Sequence, residues 1–387
     1  MERRTFLKIL SSAGIVSLVS PTFAMEVCKN KVSKSSSALL ESAFRNPPFS
    51  SGVYTWWHWM NGNITKDGIT RDLEAMKANG IAGYQLFEAG SGIPIGPVES
   101  LSDEWVDLIL HTLKESERLG LEFAMHNCPG WSSSGGPWIT PDKAMQIITW
   151  SETKITGGKQ VRIQLPTPKH MFDYYIDTYC LAIPANMKVI PRLSILELSN
   201  RLDKDGVLTW DVPTGEWLIM RFGQTAKDQK NKSAPSKSTG LDCDKFSTEA
   251  LDYHLNCMFK RLMPTMEKIA KHSKIGLLID SYETGDQDWT SDMPAYFEQS
   301  HGYELYPFLP VLANKIVESE ESTKRFLFDF RRVRADMFAE RYYGHFQKRC
   351  KEKGIITYTE PYGGNMMEEL QVAQQLDINM GEFWCGQ

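Results

Sequence analysis

Residues 102–131 read SDEWVDLILHTLKESERLGLEFAMHNCPGW. Ser102 suits a helix N-cap, Asp103 and Glu104 fill a first turn where negative charge is favoured, and Gly120 supplies the stop. The apolar run from Leu121 to Met125 predicts a strand that delivers His126 and Asn127 at its end. This helix-to-strand unit recurs on both sides. Upstream, Val53–Met60 reads as an aromatic strand and Thr65–Asn79 as a helix capped by Thr65 and stopped by Gly80. Ile69, Leu73 and Met76 share one face of that helix, and Ile81–Phe87 is the next strand. Downstream, Ser247–Lys271 predicts one long helix, and Ile275–Tyr282 a strand. Helices fill much of 292–353, followed by strand Ile355–Thr359, helix Met366–Gln375 and strand Ile378–Phe383. Strands alternating with helices define parallel β/α units.

The expected strands are thus 53–60, 81–87, 121–126, 275–282, 355–360 and 378–383. Their C-terminal ends carry Trp57, His58 and Trp59; Glu88; His126 and Asn127; Asp280 and Glu283; Glu360; and Glu382. A doubly wound sheet gathers ligand groups at one switch point, whereas a barrel spreads them over all its strand ends. The fold class expected is α/β, a (β/α)8 TIM-type barrel represented by about six strands.

The rhythm breaks near Met145. Short alternating runs with Gly, Pro and Asn turns continue to Phe222, among them 160–165, 174–183, 206–212 and 216–222, which predicts an inserted β domain. A polar Lys/Ser loop covers 224–240. The organisation read from the chain is a signal peptide (1–24), a linker (25–47), a first barrel part (48–147), the inserted β domain (148–222) and a second barrel part (223–387).

The signal reading rests on the basic head Arg3-Arg4-Thr5-Phe6-Leu7-Lys8, the apolar run from Ile9 to Val19, and Ala24 as the small residue before cleavage. The run is too short to anchor a spanning helix, so export to the periplasm or beyond is expected. The paired arginines suit the twin-arginine route. A net charge of −5 gives no general attraction to nucleic acid or anionic lipid. The seven cysteines include no CxxC pair, which argues against a zinc knuckle and for buried thiols.

Three glutamates follow apolar strands: Glu283 in Ile279-Asp280-Ser281-Tyr282-Glu283, Glu360 in Tyr358-Thr359-Glu360-Pro361-Tyr362, and Glu382 in Met380-Gly381-Glu382-Phe383-Trp384. A partly desolvated carboxyl has a raised pKa and suits acid catalysis near neutral pH. Glycoside hydrolysis needs two such groups, one to protonate the leaving oxygen and one to activate water or attack. The competing reading is a structural ion pair with Arg331, Arg332 or Arg334. The 11 Trp fit sugar stacking as well as a large core. Candidate sugar contacts are Trp57, His58 and Asn61 at the first strand, His126, Asn127 and Trp131 in the loop after the third, and Asp280 and Tyr282 after the fourth. His58 and His126 lack zincin spacing.

The strings Trp57-His58-Trp59-Met60-Asn61-Gly62-Asn63, His126-Asn127-Cys128-Pro129-Gly130-Trp131, Asp280-Ser281-Tyr282-Glu283 and Gly381-Glu382-Phe383-Trp384 resemble glycoside hydrolase family 106. The resemblance implies removal of terminal α-L-rhamnose from plant polysaccharide such as pectic rhamnogalacturonan, with inversion at the anomeric carbon. It also implies a (β/α)8 barrel with attached β domains, and calcium near the sugar. Glu283 becomes the foremost catalytic carboxylate, with Glu382 and Glu360 as its partner or as calcium ligands. Family members are much longer, so a six-stranded chain is expected to be a poor enzyme alone. The alternatives are a non-catalytic sugar-binding remnant or another barrel glycosidase of β-galactosidase-like type.

Overall fold

A computed structural model of the protein describes residues 34–131, 134–364 and 366–386. The export signal and the first part of the linker lie outside the described residues. The described part of the linker is not irregular: Lys34–Arg45 is an α-helix whose Leu39, Leu40 and Phe44 are exposed.

The sheet is parallel and six-stranded, with β1 (Val53–Met60), β2 (Ile81–Ala89), β3 (Glu122–His126), β4 (Ile275–Ile279), β5 (Ile356–Thr359) and β6 (Ile378–Asn379) adjacent in that order. Spatial order equals chain order, which a doubly wound sheet does not show. No pairing joins β1 to β6 among the described residues, so the sheet is open. Strand β6 is shorter than expected, pairing only at Ile378 and Asn379, and leaves Glu382 beyond the ladder.

Helices α1 (Lys66–Ala78) and α2 (Asp103–Leu119) begin as the sequence dictates. Thr65 Oγ1 accepts the Gly68 N–H at 3.1 Å, and Ser102 Oγ accepts that of Trp105 at 3.1 Å. Gly120 closes α2 at φ 64°, a left-handed conformation that glycine adopts without strain. The predicted helix 247–271 is two helices, α3 (Thr248–Phe259) and α4 (Met263–Ile269). Pro264 sits in the first turn of α4, where its missing N–H costs no hydrogen bond. The helix predicted over 366–375 shrinks to Glu369–Ala373.

The two faces of the sheet differ. Trp59, Tyr84, Leu86, Phe123, Met125, Leu277 and Ile279 pack outward against Ile69, Leu73, Trp105, Ile109 and Leu113 of the helices. The inner face holds a smaller cluster of Phe87, Ala124, Leu278 and Tyr358, with Trp131, Ile356 and Met380 against it. Glycines make room there. A Cβ on Gly83 would meet the Tyr54 ring at 2.6 Å, and one on Gly276 the Tyr358 ring at 2.4 Å.

Between β3 and β4 the chain builds an antiparallel four-stranded sheet from Gln146–Thr156, Glu216–Ala226, Ile176–Pro184 and Leu196–Glu197. Leu165, Cys180, Ala182, Leu208, Trp210 and Ile219 form a core of their own. Ile148, Leu181, Ile183, Met220 and Phe222 instead join the main core. This layer is therefore continuous with the β/α part through one of its faces. Cys180, Cys243 and Cys350 are buried free thiols, as expected, and Cys128 is buried too.

Candidate active site

Strand parity decides which residues reach the inner mouth of the sheet, because alternate side chains point to opposite faces. Leu278 lies in the inner cluster, so Asp280 follows it inward; Tyr358 likewise leads to Glu360. Both carboxyls are almost inaccessible, at 4% and 3% exposure. The two carboxyls act directly on each other's acidity. Burial, followed by the charge of Glu360, raises the Asp280 pKa far above its ordinary value. Burial also raises Glu360, while Tyr362, whose hydroxyl donates to Glu360 Oε2 at 2.6 Å, works in the opposite direction. Asp280 therefore keeps its proton to a higher pH than an isolated aspartate would. Tyr362 escaped the sequence reading because nothing in its spacing marks a hydroxyl turned back onto the carboxylate two residues before it.

Glu283 is exposed at the same mouth and accepts a hydrogen bond from Ser281 Oγ at 3.3 Å. Its charge raises the pKa of both Asp280 and Glu360. Glu382 is exposed, accepts from Trp384 Nε1 at 3.2 Å, and acts on Glu360 by its charge. The structure therefore gathers Asp280, Glu283, Glu360 and Glu382 within electrostatic reach of one another. None of Arg331, Arg332 and Arg334 pairs with these four: Arg332 pairs with Asp336, and Arg334 with Asp286.

An aromatic row lines the inner face beside the pair. His58 stacks on Phe87 at 5.5 Å between centroids, and Phe87 lies 5.5 Å from His126. Trp131 packs on the same inner cluster. Burial holds His126 neutral, its pKa pushed down to about 4. With the proton on Nδ1, that nitrogen donates to Cys128 O at 3.0 Å while Nε2 accepts the Asp280 N–H at 3.3 Å. His126 thus fixes the backbone of the carboxyl rather than presenting its ring to solvent.

Several expected sugar contacts lie elsewhere. Trp57 falls on the helix side, edge-on to Trp59 and Tyr84, with Nε1 donating to Asp72 Oδ2 at 3.1 Å. Asn61 adopts φ 50° in the turn after β1, and its amide donates to Ile93 O at 2.7 Å. Tyr282 is buried against Phe338, its hydroxyl donating to Gly285 O at 2.8 Å. Asn127 is fully buried: its amide donates to Leu278 O at 2.9 Å, and its oxygen accepts from Ser134 Oγ at 2.5 Å and faces His254 Nε2 at 3.1 Å. Each of the four is polar at a strand end, but each is directed into the protein's own framework. Glu88 also points outward, where it accepts from Ser100 Oγ at 2.8 Å and burial pushes its pKa up to about 7.

A buried polar floor supports the mouth. Lys245 and Asp242 form an ion pair with no solvent exposure on either side chain. Lys245 Nζ also donates to Cys243 O at 2.9 Å and to Ser134 O at 3.3 Å. Ser134 in turn meets Tyr342, which projects from a π-helical turn at Phe338–Gly344, at 2.5 Å. A π turn shifts helix faces by one residue, so a 3.6-residue periodicity could not have found Tyr342. Among the described residues no three His, Cys, Asp or Glu side chains are arranged to hold a metal ion. No chemical step is assigned to the calcium ion that the resemblance implied.

The fold and mouth define a β/α protein with its carboxyl chemistry gathered at the C-terminal ends of parallel strands. The profile of the α-L-rhamnosidases of glycoside hydrolase family 106 matches residues 45–178 and 169–387, and the chain belongs to that family. A relative from Formosa agariphila, provisionally named a beta-glucuronidase, is 41% identical over 90% of this chain and 32% of its own length. A rhamnosidase structure from Novosphingobium sp. PP1Y superposes with a TM-score of 0.79 at 24% identity, covering 87% of this chain and 49% of that one. A beta-galactosidase from Halorubrum lacusprofundi reaches a TM-score of only 0.43 at 11% identity. The chain thus spans about a third of the curated relative and about half of the solved rhamnosidase.

Proposed function

We propose that the chain forms the acid–base portion of a glycoside hydrolase that removes terminal α-L-rhamnose from polysaccharide, pectic chains among them. The observation that carries this reading is the burial of Asp280 beside Glu360 at the mouth of the sheet, where burial and the glutamate's charge raise the aspartate's pKa. In this reading Asp280 gives its proton to the departing glycosidic oxygen and is left as a carboxylate, to be reprotonated from water after product leaves, while the charge of Glu360, which accepts the Tyr362 hydroxyl, keeps the acid protonated beforehand. Glu283, exposed and held by Ser281, activates a water on the opposite side of the sugar, giving inversion. His58 and Trp131, backed by the buried Phe87, form an aromatic wall against which the apolar face of the sugar rests.

The six strands act in this proposal as an arc of a (β/α)8 barrel, with the antiparallel layer as its attached β domain. The basic, then apolar, N-terminus supports export, so that the substrate is met outside the cytoplasm. The test is a side-by-side assay on aryl α-L-rhamnoside, aryl β-D-galactoside and aryl β-D-glucuronide. With the full-length protein, release from the rhamnoside and from neither of the others is expected. Cleavage of either of the others, without the rhamnoside, refutes the substrate assignment.

A further inference from the structure

The carboxyl of Glu283 has little of its own to hold it. It stands exposed, and its hydrogen bond among the described residues is the one from Ser281 Oγ, at 3.3 Å. Its place at the mouth is therefore inherited from its backbone. That backbone is tightly held: within 281–290 only Glu283 and Gly285 are exposed. On the near side, Tyr282 N–H donates to Tyr362 O at 2.9 Å, and a Cβ on Gly363 would meet Tyr282 O at 2.4 Å. The segment is thus laid directly against the loop that bears Tyr362. Gly285 then turns the chain at φ 74°, and its carbonyl accepts the Tyr282 hydroxyl at 2.8 Å.

The far side ends on Gln287, which has no solvent exposure. Its Nε2 donates to Asp244 Oδ1 and, at 2.9 Å, to Trp289 O, while its Oε1 accepts the Lys245 N–H at 3.0 Å. Its carbonyl accepts from Arg334 Nε at 3.0 Å. Asp244 is fixed in turn by Thr290 Oγ1 at 2.8 Å and by the Phe246 N–H at 2.7 Å. Lys227 Nζ holds the Asp286 carbonyl, and Asp288 Oδ1 accepts the Ile148 N–H of the β layer at 2.8 Å.

A buried amide costs free energy unless its donor and acceptor ends are both paired. An apolar side chain of the same size would fill the space without that cost. It would not fix the orientation of the loop, which the paired amide does from both ends. Gly285 has no side chain to pack, so without the clamp the chain is free to turn between Gln287 and Glu283.

We propose that Gln287 is a positioning residue: it clamps the loop 283–289 to Asp244 and Lys245, and so sets where the Glu283 carboxylate stands against Asp280. The inference rests on the water-activating role given to Glu283 above. A displacement of about 1 Å in such a group can cost about 10²-fold in rate.

The experiment is a double-mutant cycle on the full-length protein, with kcat and KM measured on whichever aryl glycoside it cleaves and rates taken per folded molecule. Gln287→Leu should lower kcat by roughly tenfold to 10²-fold, with KM within about threefold of the parent. In the Glu283→Gln background the same replacement should cost less than about twofold, because the group it displaces no longer acts. Gln287→Glu carries the test where Gln287→Leu does not fold. Protonated, its new carboxyl keeps one donor for Asp244 and one acceptor for the Lys245 N–H. Ionised, it opposes the Asp244 carboxylate, since Lys245 Nζ is engaged by Asp242 and Arg334 by the loop carbonyl. Relative to the parent at the same pH, Gln287→Glu should therefore be near-normal in acid and slow as pH rises. Parental kcat in Gln287→Leu, an equal loss in both backgrounds, or a Gln287→Glu profile that superposes on the parent's overturns the positioning role. A Glu283→Gln rate within about threefold of the parent sinks the role of Glu283 itself, and the clamp with it.

Discussion

Asp280 and Glu360 lie buried at the ends of neighbouring parallel strands, where the glutamate's charge raises the aspartate's pKa, and the backbone N–H of Asp280 is held by His126 Nε2 at 3.3 Å. Two buried carboxyls at this range cannot both ionise cheaply, so the site stores an acid at a pH where an isolated aspartate would have lost its proton. The arrangement is produced by strand parity, by the neutral imidazole beneath it, and by Tyr362 on the glutamate side.

His126 acts on this acid through position. Replacement His126→Ala frees the Asp280 N–H and one wall of the pocket. The acidic carboxyl should then move, and the alkaline limb of the pH–rate profile should shift, with KM changing less than kcat. A profile that keeps its shape while only total activity declines would assign His126 to general folding.

Glu88 makes a separate pH prediction. Its pKa rises from 4.5 to about 7 because it is buried. A carboxyl raised on folding binds more protons folded than unfolded, so its contribution to stability is greatest in acid and falls as pH climbs from about 4.5 to about 7. Glu88→Gln should therefore match the parent in urea at pH 4 and exceed it at pH 8. Parallel denaturation midpoints at both pH values would refute the assignment.

Much of this was legible beforehand. Caps at Thr65 and Ser102, the stop at Gly120 and the apolar runs located the elements, because each is a local steric or hydrogen-bonding requirement. The acidic strand ends were legible for the same reason. The facing of side chains was not. Trp57 and His58 look equally aromatic and polar in the chain, but one lies against Asp72 of α1 and the other against Phe87 inside the sheet. Asn127 and Tyr282 failed as expected contacts because a buried polar floor claimed them, and that floor depends on Lys245, His254 and Tyr342, all distant in sequence. Asp280 ranked as a binding residue since only its burial beside Glu360 reveals its raised pKa.

The floor itself is testable. Lys245→Met leaves Asp242 charged and buried, with Ser134 N–H at 3.3 Å as a weak substitute. The loss should be about 3–5 kcal/mol in chemical denaturation. Adding Asp242→Asn should recover part of it. A single-variant loss below about 1 kcal/mol would mean that the pair contributes little.

Glu283 should behave as the water-activating group. Glu283→Gln keeps the shape but accepts no proton, so turnover should slow by roughly 10²-fold or more while sugar binding survives. Activity within about threefold of the parent would remove Glu283 from the chemistry.

The most direct measurement is kcat/KM of Asp280→Asn against the parent on two α-L-rhamnosides, one with a good leaving group such as nitrophenolate and one with an alkyl alcohol. A leaving group that departs unaided needs no acid. The account predicts a loss of about 10²-fold or more on the alkyl rhamnoside and a much smaller one on the nitrophenyl rhamnoside. Equal losses on both substrates, or a loss within about threefold on the alkyl rhamnoside, would contradict the role of Asp280 as the acid.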